Sequence, residues 1–144
     1  MAKCTVLPMT DIPWAELRSA AIAATSRSYA PYSNVRVGAA ALCDTGAIVV
    51  GSNIENASYG LTLCAECSLV SDLRRVGGSR LIALSVVAGD HAPIAPCGRC
   101  RQVLFEFGGR DLLLDQGVDA TPLTLEQLLP HAFGPDDLPT RATQ

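Results

Sequence analysis

Apolar residues recur along this chain with two different periods, one typical of helices and one typical of strands. In residues 13–28 they follow helical spacing, and Asp11 is available as a cap just before them, so a helix is predicted there. Residues 35–43 and 47–53 are instead rich in strand-forming side chains. The turn signal at residues 44–46, Asp-Thr-Gly, predicts that these two strands form a hairpin.

The second half of the chain repeats a helix-then-strand plan twice. Helical patterns over residues 64–76 and 97–107 each end at a pair of glycines, and the first pair, Gly77 and Gly78, suits a left-handed helix end. Residues 81–88 form a continuous apolar run of strand length, as expected for a strand that is covered on both faces. Residues 111–114 predict a further strand.

A final helix is predicted to begin at Thr124, which together with Gln127 three residues later resembles a capping box. The predicted order of elements is therefore α-β-β-α-β-α-β-α. Helices that alternate with strands in this way pack on both faces of a sheet. We expect an α/β fold, a three-layer α/β/α sandwich around a mixed β-sheet.

Length and composition favour one globular domain over residues 1–144. Of the 144 residues, 49% are apolar and 17% are charged, which allows a buried core and argues against a disordered chain. No apolar stretch approaches the roughly 20 residues of a spanning helix, and residues 1–10 lack the pattern of a signal peptide. We therefore expect a soluble, cytoplasmic protein with no membrane partner.

The charge balance argues against nucleic acid as a partner. The formal net charge of the chain is −3, whereas the neutralisation of many phosphates needs a surplus of Lys and Arg. A small, weakly charged substrate fits this balance better.

Four of the six cysteines lie in two C-x-x-C pairs. Without a secretion signal the compartment is expected to be reducing, and there such pairs are typical of metal or redox sites. Cys4 and Cys43 lie apart from any ligand spacing. We predict that Cys4 is a thiol in the N-terminal tail and that Cys43 is a small apolar residue of a strand.

The candidate chemistry lies at the predicted starts of two helices. Cys64-Ala65-Glu66-Cys67 begins one helix, and Cys97-Gly98-Arg99-Cys100 begins the other. In the first turn of a helix the backbone N–H groups and the helix dipole favour a thiolate over a thiol. Two such helix ends can share one zinc ion, and a catalytic zinc has three protein ligands with water in the fourth position.

Three interpretations fit these pairs. All four thiols could close a structural zinc site, but the 29 residues between the pairs exceed the roughly 15 to 20 of such sites and contain a predicted helix and strand. A redox pair is the second, although neither pair follows the first strand of a thioredoxin-like unit. Glu66 favours the third, a catalytic zinc, because a carboxylate beside zinc-bound water can take its proton and pass it to a substrate.

The triplet Cys64-Ala65-Glu66 followed by Pro96-Cys97-x-x-Cys100 resembles the signature of the zinc-dependent nucleobase and nucleoside deaminases, in the version with three cysteine ligands. Further segments are similar to the small homotetrameric cytidine deaminases of the cytidine and deoxycytidylate deaminase superfamily. These segments are residues 29–33, 37–40, 51–59, 96–102 and 128–133. The similarity covers about residues 12–134, the expected core of the domain, and leaves a C-terminal tail that we expect to be flexible.

The resemblance implies hydrolysis of cytidine and 2'-deoxycytidine to uridine and 2'-deoxyuridine with release of ammonia, a reaction of pyrimidine salvage. It implies one Zn²⁺ per subunit, held by Cys64, Cys97 and Cys100. Glu66 is then the catalytic residue: it takes a proton from zinc-bound water, so that hydroxide attacks C4 of the pyrimidine, and it protonates N3 and later the leaving amine. We expect the backbone near Ala65 and Cys97 to hold the amidine edge of the substrate.

Other positions are expected to bind the nucleoside. Asn53 and Glu55 lie two residues apart at the end of a predicted strand, so an amide and a carboxylate on one face can bind a sugar hydroxyl. In the family these positions bind the ribose. The resemblance further implies that Phe133 covers the base in a neighbouring subunit, that Tyr59 reaches into a neighbouring pocket, and that Val35 contacts the base.

Two positions depart from the family pattern. Cys67 stands where the family often has Arg, so we expect it beside the ligands, with helix dipoles, Arg99 or Arg101 offsetting the negative charge of three thiolates. Val35 stands where relatives commonly have Phe, so apolar contact with the base remains while ring stacking, on the order of 1 kcal/mol, is lost.

Two other functions remain open at the level of sequence. The first is a related deaminase of a different substrate, such as a nucleoside antibiotic, a nucleotide or a base in RNA. The second is a zinc module without catalysis, which would keep its metal after Glu66→Gln and have no activity to lose. Product analysis over a panel of substrates separates these functions.

Overall fold

The computed structural model describes residues 11–138. Within that range no helix is long and apolar enough to cross a membrane. The predictions for Cys4, for residues 1–10 and for the end of the C-terminal tail fall outside the described residues.

A mixed sheet of five strands forms the centre of the fold, in the order β2-β1-β3-β4-β5. The strands are Gly38–Cys43 (β1), Ile48–Ser52 (β2), Leu81–Val87 (β3), Leu113–Leu114 (β4) and Leu123–Thr124 (β5). β3 and β4 are parallel, whereas the other neighbouring strands are antiparallel. A parallel pair needs a crossover connection, which the helix α3, Gly98–Gly108, supplies.

One face of the sheet is covered by α1, Trp14–Ala24. Leu17 and Ala21 of this helix share a buried core with Ala40 and Leu42 of β1. Because side chains alternate between the faces of a strand, the residue between these two strand positions points to the opposite face. The first core therefore lies between α1 and the sheet.

The opposite face is covered by α2 (Ala65–Arg75), by α3 and by the short α4 (Leu125–Leu128). Leu69 of α2 and Leu104 of α3 are fully buried here, in a core that also contains Ala39 of β1. Two cores separated by one sheet make the three-layer α/β/α sandwich that was predicted.

Several details of the prediction are confirmed. The left-handed end of α2 occurs at Gly77, with φ of 75°, and α3 ends at Gly108, within the predicted pair of glycines. The capping box of α4 is present, since the backbone N–H of Thr124 donates to Oε1 of Gln127 at 2.8 Å. Cys43 is a buried strand residue, as predicted.

Three details differ from the prediction. The N-cap of α1 is Pro13 and no side chain caps it, so the prediction of Asp11 as the cap is wrong: Asp11 lies two residues before the cap position. The first strand starts at Gly38 instead of residue 35, because the carbonyl of Val35 and the N–H of Val37 are bonded to the Asn53 side chain and not to a strand. β5 was not predicted, since two residues are too few to show a period.

The helix that carries one half of the candidate chemistry is fixed directly to the edge strand β2. An edge strand leaves a row of backbone groups without strand partners, and here the N–H groups of Val50 and Ser52 donate to the side chains of Asp72 and Ser68 on α2, at 2.9 and 3.1 Å. The Ser68 hydroxyl in turn donates to the Ser52 carbonyl at 2.8 Å. These bonds set the position of α2 along the strand.

Candidate active site

The first turns of α2 and α3 meet at one end of the sandwich. Cys64 is the N-cap of α2, Cys97 is the N-cap of α3, and Cys100 lies in the first turn of α3. The sulfur atoms of these three cysteines all lie within 4.8 Å of one another. Among the described residues Cys67 is not part of this group. The donor set of three thiols around one point suits zinc, which prefers sulfur ligands in tetrahedral geometry.

The three thiols have different environments. Burial is the main effect that raises the pKa of Cys64 and of Cys100, which has no exposed surface. The pKa of Cys97 is lowered, chiefly because the backbone N–H of Cys100 donates to its sulfur. Thiolates crowded together in this way repel one another unless a cation lies between them, which is what a metal ion would provide.

Glu66 lies beside this group in the first turn of α2 and is only 4% exposed. Burial raises the pKa of its carboxyl group, and hydrogen bonds from its own backbone N–H and from Cys100 partly oppose this effect. A buried carboxyl group with a raised pKa changes protonation state closer to neutral pH than an ordinary glutamate does. Such a group is suited to accept and return a proton.

Two arginines expected to offset thiolate charge bind the main chain around the site. Arg99 donates to the carbonyl of Thr62 at 3.1 Å, two residues before Cys64. Arg101 donates to the carbonyl of Pro96 at 2.8 Å, directly before Cys97. Both guanidinium groups therefore brace the loops that lead into the two N-cap cysteines.

A cavity of about 290 Å³ opens onto the thiols and Glu66. Of the residues predicted from sequence, Val35, Asn53, Cys64, Ala65, Glu66 and Cys97 line this cavity together. Its remaining walls are mostly small or aliphatic, and none of them was predicted as a site residue: Ser33, Val37, Thr62, Ile94 and Ala95. In the sequence, Ile94 and Ala95 stand out only because they immediately precede Pro96-Cys97. That position does not show whether their side chains face the site.

The Asn53 side chain has a defined partner on each of its two ends. Its Oδ1 accepts from the backbone N–H of Val37 at 2.8 Å and from the hydroxyl of Ser28, and its Nδ2 donates to the carbonyl of Val35 at 2.8 Å. The amide thus holds the wall that Val35 and Val37 form. Sequence reasoning expected Asn53 at the cavity but did not foresee this bracing role.

Glu55 and Tyr59 line a second, adjoining cavity of about 190 Å³, together with Tyr32, Ser33 and Thr62. Ser33 and Thr62 also line the larger cavity, so the two are neighbours. The Glu55 carboxylate accepts from the Ser33 hydroxyl and from the backbone N–H of Tyr32, the latter at 2.9 Å, and these bonds lower its pKa. Glu55 is therefore an anion in the cavity that adjoins the larger one.

Phe133 lies apart from both cavities. Its side chain is 60% exposed, and it follows α4 in the C-terminal segment. Tyr59 is also largely exposed, at 74%. Within one chain, the structure brings together the cysteines, Glu66, Ala65, Asn53 and Val35. It places Glu55 and Tyr59 in the adjoining cavity and leaves the Phe133 ring exposed.

Comparison with known proteins gives a consistent result. Residues 14–114 match the family model of the cytidine and deoxycytidylate deaminase zinc-binding region. The chain is 55% identical over 131 residues to a cytidine deaminase of Mycobacterium tuberculosis, an alignment that covers 91% of this chain and 97% of the relative.

Solved structures with the same fold agree with this match. The crystal structure of cytidine deaminase from Mycobacterium tuberculosis superposes with a TM-score of 0.82 at 53% identity, covering 86% of this chain and 99% of the other. The crystal structure of cytidine deaminase from Mycobacterium leprae gives a TM-score of 0.78 at 49% identity, covering 83% and 99%. The match to the zinc-binding region spans most of this chain, and the three clustered thiols lie within it. This chain therefore belongs to the cytidine and deoxycytidylate deaminase family.

Proposed function

We propose that this protein is a zinc-dependent cytidine deaminase, which hydrolyses cytidine and 2'-deoxycytidine to uridine and 2'-deoxyuridine and releases ammonia. Cys64, Cys97 and Cys100 hold one Zn²⁺ per subunit, and Glu66 is the catalytic residue. The observation that carries the proposal is a buried carboxyl group beside three clustered thiols, where Glu66 and two of the thiols line a cavity. A structural metal site has no use for such a group.

When bound, zinc acts as a Lewis acid that makes water a competent nucleophile near neutral pH. Glu66 supplies the proton transfers of the reaction. Its carboxylate accepts a proton from the water that attacks C4 of the pyrimidine and delivers it to N3. It then carries the second proton of that water to the departing amine, so that ammonia leaves and the C4 carbonyl forms. Water is consumed and no net proton is gained or lost.

The lining of the two cavities supports a nucleoside over a nucleotide as substrate. No Lys, Arg or His among the described residues lines either cavity, and Glu55 adds a negative charge in the adjoining one. A phosphate group would meet this carboxylate without a cation to pair with, whereas phosphate sites commonly supply Arg or Lys. Asn53 and Glu55 suit sugar hydroxyls, Ala65 lies where the amidine edge binds, and Val35 contacts the base.

We further propose that the active protein is a homotetramer whose sites are completed by neighbouring subunits. Phe133 and Tyr59 support this proposal, since large apolar side chains with 60% and 74% exposure are candidates for contacts between subunits. In the proposed assembly Phe133 covers the base bound by a neighbour, and Tyr59 lies in the adjoining interface. The chain acts as one domain over residues 1–144, and a cytoplasmic location keeps its thiols reduced for zinc.

The deciding experiment follows cytidine conversion by ultraviolet absorbance, using purified protein of measured zinc content. Cytidine, 2'-deoxycytidine, cytidine 5'-monophosphate and cytosine are compared at equal concentration. We expect turnover of the two nucleosides. The kcat/KM should be at least about 100-fold lower for the free base, which leaves the sugar-binding groups unpaired, and should also be lower for the nucleotide, whose phosphate would lie near the Glu55 carboxylate. Zinc-loaded protein that turns over neither nucleoside would refute the proposal, and preference for the nucleotide would refute the substrate class.

A further inference from the structure

The backbone on either side of Phe133 is held by two side chains. The side-chain amide of Gln102 donates to the carbonyl of Phe133 at 2.8 Å. The backbone N–H of Gly134 donates to the Asp137 carboxylate, also at 2.8 Å. These two bonds bind the carbonyl and the N–H of one and the same peptide group, the one that joins Phe133 to Gly134. Since a peptide group is planar, fixing both ends fixes the direction of the chain at Phe133.

The neighbouring residues limit the segment further. His131 has a left-handed backbone with φ of 56°, and Ala132 is only 9% exposed. Gly134 packs against the Phe105 ring of α3 so closely that a Cβ would lie 2.6 Å from a ring carbon. The chain thus leaves Phe133 as an outward-facing ring on an otherwise anchored segment.

The anchor of Phe133 stands on the helix that carries two of the candidate metal ligands. Gln102 follows Cys100 by two residues on α3. The residue between them, Arg101, bonds the Pro96 carbonyl before Cys97 and, at 2.9 Å, the Leu128 carbonyl at the end of α4. One turn of α3 therefore binds both the loop that leads to Cys97 and the C-terminal segment that contains Phe133.

We propose that Gln102 is a positioning residue for Phe133, with Asp137 holding the other side of the same peptide group. The inference rests on the proposed function, in which the Phe133 ring covers the substrate base in a neighbouring subunit. Gln102 touches no substrate itself. It sets the direction in which the ring leaves the surface, so its effect on catalysis passes entirely through Phe133.

The test compares four forms of the zinc-loaded full chain: wild type, Gln102→Met, Phe133→Ala and the double variant. Methionine keeps the approximate volume of glutamine but cannot donate a hydrogen bond. We expect Gln102→Met to raise KM for cytidine about three- to tenfold, the effect of one lost hydrogen bond, and to change kcat less than about twofold. A contact made equally in ground state and transition state appears in KM.

The double variant separates positioning from general structure. In the Phe133→Ala background no ring remains to be positioned, so Gln102→Met should change KM by less than about twofold further. The matched control is Gln116→Met, because Gln116 is also exposed and its amide bonds only the adjacent Asp115 carbonyl among the described contacts. This control should leave KM and zinc content unchanged.

Other outcomes have distinct meanings. An equal rise in KM in both backgrounds, or no rise with Gln102→Met while Phe133→Ala has one, overturns the inference. If Phe133→Ala itself leaves KM unchanged, the role of Phe133 fails and the inference with it, while deamination of cytidine stands. Should Gln102→Met not fold, Asp137→Ala removes the bond to the same peptide from an exposed turn and must reproduce the same pattern of KM values.

Discussion

Gly51 of the edge strand and Ala65 in the first turn of α2 lie so close that no side chain fits between them. A Cβ built on Gly51 would be 2.2 Å from the main-chain oxygen of Ala65 and 2.5 Å from the nitrogen of Leu69. Both are backbone atoms of α2, so neither can move aside alone. The residues on either side of Ala65 are Cys64 and Glu66, and their place in the site therefore depends on this close approach.

Gly51→Ala should displace the first turn of α2 and weaken zinc binding. We expect a loss of about 1–3 kcal/mol in the free energy of unfolding, as for an overpacked core, and zinc content below one ion per chain. The matched control is Gly89→Ala, because Gly89 has an open surrounding and no left-handed backbone. Thermal unfolding and zinc analysis at equal protein concentration check this. Full zinc content and wild-type stability in Gly51→Ala would contradict the importance of the close approach.

Glu66→Gln should retain zinc and fold but lose turnover. The amide is nearly the size of the carboxyl group but cannot carry a proton, and general acid–base catalysis contributes about 10²- to 10⁴-fold in rate. The control is Glu106→Gln on an exposed position of α3, which should keep wild-type kcat. Kinetics and zinc content are measured on the same preparations. A kcat for Glu66→Gln near that of wild type would remove Glu66 from its catalytic role.

The three-ligand site predicts a clear difference among the four cysteines of the pairs. Cys67→Ser should keep about one zinc per chain, because a catalytic site uses three protein ligands. Cys64→Ser, Cys97→Ser and Cys100→Ser should each lose the metal or bind it much more weakly. Zinc analysis after dialysis against a weak chelator tests this. If Cys67→Ser empties the site as readily as the others, a closed four-cysteine site becomes the better explanation.

The grouping of Cys64, Cys97 and Cys100 could be predicted because these residues stand at short spacings at the starts of helices. The two C-x-x-C pairs and the glycine helix ends are local signals, and Cys64 and Cys97 do occur as N-caps. The details that place the site are not local. Nothing in the spacing of Ser68 and Asp72 shows that they bind the N–H groups of β2.

The role of Asn53 illustrates a second limit of the sequence. Its position at a strand end predicted a polar side chain near a sugar, and it does line the cavity. Its bonds to Val35 and Val37, however, join segments 16 or more residues away along the chain. Such pairings depend on how the strands and loops come together, which the pattern along one strand does not contain.

The pair formed by half-buried Arg18 and buried Asp115 should make stability depend on pH. Arg18 of α1 bonds both oxygens of the Asp115 carboxylate, at 2.8 and 2.6 Å, and the Ser85 hydroxyl donates to it at 2.8 Å. Burial acts to raise the pKa of Asp115, but the bonds from Arg18, the Gly117 N–H and Ser85 outweigh it, so the pKa lies below its ordinary value of 3.8. Because the folded pKa is the lower one, the pair stabilises the fold above about pH 4 and loses this contribution as the pH falls further.

Asp115→Asn should therefore cost about 1.5–3 kcal/mol of the free energy of unfolding at pH 7, as for lost hydrogen bonds to a charged group, and less at pH 3, where the wild-type carboxylate loses part of its contribution. The control is Asp111→Asn, because Asp111 is 83% exposed and pairs with Arg80 only at 3.7 Å. This exposed pair should contribute at most about 1 kcal/mol. Unfolding is followed at both pH values and at one protein concentration. A difference between wild type and Asp115→Asn that stays constant with pH would refute the linkage.

Mixed assemblies of two inactive or impaired chains can show whether Phe133 acts on a neighbouring subunit. A Phe133→Ala chain has an intact Glu66 but no covering ring, and a Glu66→Gln chain has the ring but no proton carrier. If the ring acts between subunits, co-expression of the two should create sites with both groups, in about a quarter of all subunits when equal amounts assemble at random. Cytidine kinetics of the co-purified assembly should then contain a component with the wild-type KM that neither parent shows.

Light scattering at the assay concentration must give the mass of four chains, and dilution that dissociates the assembly should abolish that component while zinc is retained. If the ring instead covers the base of its own chain, no mixed site has both groups and the wild-type component is missing. A wild-type protein that stays fully active as a monomer on dilution would likewise refute a site shared between subunits.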